Sequence, residues 1–343
     1  MTNDSPIFII GTERSGSNLL RLILNEHPSL AIPHPPHLLK DLMPLAPCYG
    51  DLGADESFRR LVDDAVTLVD LHFSPWDVRV DREEVFARAP GRSVYGVKAA
   101  IYDQYRRSKG RRRWGCKSTF VIHYVDQVLA IHPDARFIHL VRDGRDVAVS
   151  AKTSVFNHFH PHYVARLWAE QQKTAIALSR SLSAEQMICV RYEDLLDDPA
   201  RETRRVCGFL GEDYSDSLLD YFKGAEAKRL AAQSRSWENV SKSVLKGNRS
   251  KYKRELSARE IHAFELQAFE PLAHYGYALE NDPALLRAEA RKPLAVATRL
   301  RYWTAEQAMS ARMGAQALLA DRNAFLRLRK NLFLRKLRLL RRA

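Results

Sequence analysis

The chain has 343 residues, 45% hydrophobic and 28% charged, ample for a folded core and compatible with one large domain or one domain with appendages. Its formal net charge is +13, but eight basic residues and no acid fall within 323–343; the remaining +5 argues against a nucleic-acid partner. Cys48, Cys116, Cys189 and Cys207 form no CxxC pair and read as free thiols of a reducing compartment; with no leader-like start and no run of ~18 apolar residues, a cytoplasmic protein is expected.

In chain order, residues 7–10 read as a short buried strand and 17–26 as the helix after it, ended by His27-Pro28. Residues 29–113 read as a mostly helical insertion with Pro-rich breaks. A second strand–helix unit follows in "FIHLV" (137–141) and "RDGRDVAVSAK", and 151–186 is again read as helical. The third strand is "MICVR" (187–191). Pro199 then opens a helix with Asp198 as its N-cap and an end near "GFLG". "SARE" (257–260) has capping-box spacing ahead of a late helix. Strands alternating with helices predict an α/β fold, a mainly parallel sheet flanked by helices. After "ENDP" the composition turns to Ala, Leu and Arg, so a domain over 1–282 and a helical basic extension over 283–343 are expected.

Two stretches carry the chemistry. "FIIGTERSGSN" (8–18) has the outline of a phosphate-binding loop without the Gly-Lys-Ser/Thr ending of a triphosphatase. Gly16 and the start of the helix let backbone N–H groups point at one anion. Arg14 supplies a permanently charged fork, and Ser15, Ser17 and Asn18 add donors. "VRDGRDVAVS" places Arg142 at a strand end and Ser150 eight residues later; with a helix beginning near Asp146, the two converge on a further phosphate.

Together these stretches resemble the sulfotransferase family that uses 3′-phosphoadenosine 5′-phosphosulfate, closest to the branch that includes protein-tyrosine sulfotransferases. The resemblance covers roughly residues 6–280 and implies the P-loop-like sulfotransferase fold. It implies that "TERSGSN" holds the 5′-phosphosulfate and that Arg142 and Ser150 hold the 3′-phosphate. "RYEDLLDDP" resembles the segment that brings a tyrosine near the adenine, here Tyr192. "SKSVLKGNRSKYKREL" resembles the late cofactor-covering loop and makes Ser243, Lys246 and Lys251 candidate contacts, while "RWGCKS" makes Lys117 the matched lysine. The implied reaction moves a sulfuryl group onto a hydroxyl or amine and leaves adenosine 3′,5′-bisphosphate. Arg14 and Lys117 neutralise the leaving oxygens, and no metal is required.

The acceptor proton needs a base. The branch commonly places a glutamate in the Pro-rich stretch after the first helix, but between Pro28 and Lys40 this chain has none. His34 and His37 stand there instead, with pKa values suited to neutral pH; His37 is preferred, His34 comes second and Asp41 remains open. His27 reads as part of the helix end. "NHFHPH" (157–162) alternates three histidines as a metal-binding strand would, but no companion ligand supports a metal.

At 100° per residue, the leucines and phenylalanines of 323–343 other than Leu334 gather on about half of a helix, opposite most of the arginines, with Arg329 and Lys336 intruding on the apolar side. That pattern suits an anionic membrane surface, and equally a helix packed on the protein or on a second subunit in a homodimer. Two other readings stay open: a P-loop-like nucleotide kinase, and a catalytically inactive membrane-surface protein with the same fold. The acceptor class (glycan, lipid, peptide or small metabolite) is unreadable from the residues.

Overall fold

In the computed structural model, residues 4–154, 158–233 and 235–320 are described, with Phe325 and Leu332 beyond them. The strand expected at the start is β1 (Ile7–Gly11), whose five residues are all buried, as in a strand covered on both faces. It lies between β3 (Arg113–Lys117) and β4 (Arg136–Val141); β2 (Leu30–Ala31) pairs β3 and β5 (Met187–Arg191) pairs β4. All these pairings are parallel, in the order β2-β3-β1-β4-β5. The register sets Ile9 beside Lys117 and Ile138, so the carboxyl ends of the three central strands come out together.

The mainly helical insertion after the first unit contains α2 (Leu38–Leu42), α3 (Asp55–Asp70), α4 (Arg82–Arg88) and α5 (Val94–Ser108), preceded by α1 (Ser17–Asn25). It also contains β2 and leads into β3, two strands the sequence reading did not place. β2 has only two residues, and β3 is an Arg-Trp-Gly-Cys-Lys run with little apolar signal of its own. α6 (Val125–Leu129) precedes β4, and α7 (Gly144–Ala151) follows it, starting two residues before Asp146 with Asp143 as N-cap. α8 (Pro161–Ser181), α9 (Tyr192–Asp197) and α10 (Pro199–Leu210) come next, the last capped by Asp198 and ended by left-handed Gly211. α11 (Ala225–Gln233) and the short α12 (Tyr252–Glu255) lead to α13 (Ala258–His274), whose Ser257–Glu260 capping box forms as expected. α14 (Pro283–Ala290) and α15 (Val296–Ala320) follow; Leu286 of α14 is buried.

The sheet separates two apolar layers. On one face Phe8 stacks on Phe137 at 5.4 Å and meets Trp114 edge-on at 5.6 Å, beneath α2 to α5. On the other, Ile7, Ile9, Ile138 and Val190 pack with α1 and α10. A third cluster joins α7, α8 and α13. There a Cβ at Gly144 would overlap Phe264 and Trp168, which explains the glycine of "RDGRD". Beside it, buried Arg145 is held by Asp143 (2.8 Å) and Glu265 (2.7 Å), an arrangement that fixes the turn leaving β4.

Candidate active site

β1 connects toward β2 on one side of the sheet and β4 toward β5 on the other. The crevice between their carboxyl ends is therefore the topological switch point, where open parallel sheets bind ligands. The loop after β1 and the turn after β4 both lie there. In the first, Arg14 (φ 70°) and Gly16 (φ 88°) take left-handed conformations that bring the chain sharply into α1. A Cβ at Gly16 would also overlap the ring of Tyr192, which lies across the loop. No acidic residue occupies the first turn of α1, leaving its partial positive charge uncompensated. Asn18 is aligned by Arg21, whose Nε donates to Asn18 Oδ1 at 2.9 Å. Asn18 Nδ2 and Ser15 Oγ are buried with no hydrogen-bond partner among the described residues.

The turn after β4 joins the same place. Arg14 Nε donates to Ser150 Oγ at 3.0 Å, so the two stretches singled out in the sequence touch. Arg142 donates to the carbonyls of Arg14 and Asn248, each at 3.1 Å, and sits 4.6 Å above the Tyr192 ring. Its Nη2 lies 3.6 Å from Asp146, while its buried Nε has no hydrogen-bond partner among the described residues. Asn248 Nδ2 donates to the Tyr192 hydroxyl at 2.7 Å. Glu193, next to Tyr192, accepts from the Asp143 amide at 3.0 Å and the Tyr277 hydroxyl at 2.9 Å, thereby anchoring the turn to α9. Asn18 and Arg142 thus bring buried donors, unpartnered among the described residues, to the crevice, and Tyr192 fills the space beside Gly16.

The charges strain against one another. Burial and Arg142 push the Arg14 guanidinium down to about 10, against the opposing pull of Glu13 and Tyr192. Burial likewise lowers the Lys117 ammonium to about 8; Glu13 opposes this, and Arg21 and Arg14 add to it. Lys117, the last residue of β3, faces the same cavity. Around it stand the histidines. His37, left-handed at φ 57° and N-terminal to α2, has Nδ1 3.1 Å from Ser118 Oγ, and its ring meets Phe120 edge-on. His34 is buried with Nδ1 2.8 Å from Nε2 of His72, the two rings stacked at 5.0 Å. Burial first, then neighbouring charge, holds both His34 and His37 well below 6.5, so both are neutral at physiological pH.

These groups enclose a cavity of about 430 Å³, in the usual size range of small-molecule sites. Arg14, Gly16, Ser17, Asn18, His34, His37, Lys117, Arg142, Ser150, Tyr192, Ser243 and Lys251 all line it, as does Asp41. Ser15 lies buried behind the lining, and Lys246 is exposed away from it. Glu13, His72, Asp146 and Asn248 also line the cavity and were not picked out from the sequence. Glu13 stands inside the quoted loop, where attention went to donors. His72 has no motif and meets His34 only through the fold. His27 closes the end of α1, its ring accepting from the Ser29 amide at 3.1 Å.

Among the described residues no group of three His, Cys, Asp or Glu side chains is placed to hold a metal. His158 instead pairs with Glu306 of α15 at 3.1 Å, and the rings of His160 and His162 lie against Tyr302.

Comparison with known proteins bears on the family and the fold. The model of the sulfotransferase family matches residues 6–216. The nodulation protein NoeE of Sinorhizobium fredii is 26% identical over 254 residues, covering 66% of this chain and 54% of that protein. The protein-tyrosine sulfotransferase of Drosophila melanogaster is 22% identical over 246 residues, covering 69% and 45%. This chain therefore spans about half the length of the curated relatives it matches. The sulfotransferase domain of the Synechococcus PCC 7002 olefin synthase superposes with a TM-score of 0.55 at 24% identity, over 81% of this chain and 97% of that domain, a likeness of fold. With a parallel sheet and a family match over residues 6–216, more than half of its length, the chain belongs to the sulfotransferase family.

Proposed function

We propose that this protein transfers a sulfuryl group from 3′-phosphoadenosine 5′-phosphosulfate to a hydroxyl or amine of an acceptor. The observation that carries the reading is the meeting of Arg14, Ser150, Arg142 and Tyr192 in one cavity, with unpartnered donors on Asn18 and Arg142. The loop 12–18 suits the 5′ end of such a nucleotide, and Arg142 with Ser150 suits its 3′-phosphate. Tyr192 and Asn248 offer a flat face and an amide for the base. Arg14 and Ser150, bonded to each other here, would each exchange that bond for an anionic oxygen. The nucleotide supplies the activated sulfuryl group. On the protein side, Lys117 and Arg14 neutralise charge on the leaving phosphate oxygen as its bond to sulfur breaks.

His37 is the base of choice. It reaches the cavity half-buried, is neutral, and is oriented through Nδ1 by Ser118, which leaves Nε2 to take the acceptor proton. His34 is committed to His72 and fully buried, better suited to supporting the wall.

Calorimetry with adenosine 3′,5′-bisphosphate, ADP and ATP tests the nucleotide assignment, with the bisphosphate expected to bind most tightly. Preferential binding of ATP would reject it. A labelled-sulfate transfer screen over lipid, glycan and peptide extracts then identifies the acceptor.

A further inference from the structure

A second cavity, of about 680 Å³, shares no lining residue with the first and opens between α8, α13 and the start of α15. Its lining has an unbalanced chemistry. Arg166, Lys292 and Arg299 contribute three cations, Tyr163, Tyr302 and Trp303 contribute rings, and no carboxylate lines it. Leu294, Val296 and Leu300 complete an apolar side. Such a pocket matches a molecule with an anionic head and a greasy body.

α15 has two distinct faces there. Its inner face is pinned: Glu306 accepts from the amides of Phe159 (3.0 Å) and His160 (2.7 Å), and Tyr302 packs at 4.6 Å from the His160 ring. Roughly a third of a turn away on a helix of 3.6 residues per turn lie Val296, Leu300 and Trp303. They are 78%, 58% and 54% exposed, a spacing of i, i+4, i+7 left in solvent. Around them residues 290–305 carry Arg291, Lys292, Arg299 and Arg301 and no acid. Exposed valine, leucine and tryptophan on a stretch whose only charges between Glu289 and Glu306 are cations fit a surface that is apolar inside and negative at its edge.

We infer that this face docks on an anionic phospholipid surface, with Val296, Leu300 and Trp303 entering the interface and the pocket of Arg166, Lys292 and Arg299 taking a headgroup. The site stands apart from the nucleotide cavity and does not depend on the sulfotransfer reading. It includes none of residues 323–343, which the variants below leave intact.

Co-sedimentation of the full chain with phosphatidylcholine vesicles, with and without phosphatidylglycerol, tests it. Binding is expected only to the phosphatidylglycerol vesicles, with a blue shift of tryptophan emission that Trp303→Phe removes. Leu300→Glu/Trp303→Glu and Arg166→Glu/Arg299→Glu should each weaken vesicle binding at least about tenfold. Wild-type circular dichroism and thermal unfolding midpoints in the same variants confirm that they are folded. Vesicle binding equal to wild type in both variants would place the contact elsewhere and overturn the inference. So would a concentration-dependent dimer, seen by sedimentation velocity and abolished by Leu300→Glu/Trp303→Glu, because a second copy would then cover the face.

Discussion

Arg14, Arg142 and Lys117 share one cavity with Glu13 and with Asp146, 3.6 Å from Arg142; burial first, then repulsion among the cations, lowers the pKa values of Arg14 and Lys117. An anion entering the cavity relieves it. Arg142→Ala should therefore weaken adenosine 3′,5′-bisphosphate binding by about 1.5–3 kcal/mol while leaving adenosine 5′-monophosphate nearly untouched. Equal losses for both ligands in calorimetry would remove Arg142 from the 3′-phosphate. Lys117 makes a prediction in pH. Its charge disappears as pH rises through about 8, so kcat/KM should fall on an alkaline limb there, and Lys117→Arg, which keeps its charge, should flatten that limb. Because the unfolded chain holds this proton up to its ordinary 10.5, the same group makes unliganded stability rise with pH between about 8 and 10.5. His37, neutral well below 6.5, should leave kcat/KM level as pH falls through 6.5. Replacing it by alanine should reduce turnover about 10²- to 10⁴-fold with intact bisphosphate binding. His34→Ala should instead act mainly on thermal stability, by opening the buried pair with His72. The reverse ranking of the two variants in kcat would transfer the base to His34.

At the level of elements, the site depends on how closely α9 approaches the loop after β1. Tyr192 packs where a side chain at position 16 would be, and its neighbour Glu193 holds the Asp143 amide of the turn after β4. One short helix thus sets the spacing of the two turns proposed to bind phosphate. Gly16→Ala combines a left-handed φ of 88° with overlap on the Tyr192 ring. It should cost about 1–3 kcal/mol of stability and weaken bisphosphate binding as Tyr192 is displaced. Denaturant unfolding read alongside calorimetry checks both, and wild-type binding in a destabilised variant would uncouple the two. Much at this level was legible in advance. β1, β4 and β5 are short apolar runs, α10 has its Asp-Pro start and Gly stop, and the Ser257–Glu260 box marks α13. β2 and β3 were not, since two residues carry no period and Arg113 becomes a buried strand residue by pairing with Glu212 at 3.0 Å and donating to the carbonyls of Ser5 and Leu210.

Over the whole molecule, the cavity draws on segments from Glu13 to Glu255, so a bound bisphosphate should tie together parts far apart in the chain. At a hundredfold excess over Kd it should stabilise the protein by about 2.7 kcal/mol, a gain that Arg142→Ala should largely abolish when scanned at the same concentration. No helix among the described residues is long and apolar enough to cross a membrane. The amphipathic pattern expected over 323–343 lies outside the described residues, Phe325 and Leu332 apart.

The chain's own order of residues determined the α/β class, the glycine loop, the arginine and serine eight residues apart, and the resemblance that joins them. These are local patterns, set by backbone geometry and charge within about ten residues. Tertiary structure alone decided what touches what. It brought Arg14 to Ser150 across 136 positions and laid Tyr192 over Gly16. It paired His34 with a histidine that has no motif, and left Lys246 outside the cavity. Such contacts follow from strand order and the approach of α9 to the sheet, and no short stretch of sequence encodes either.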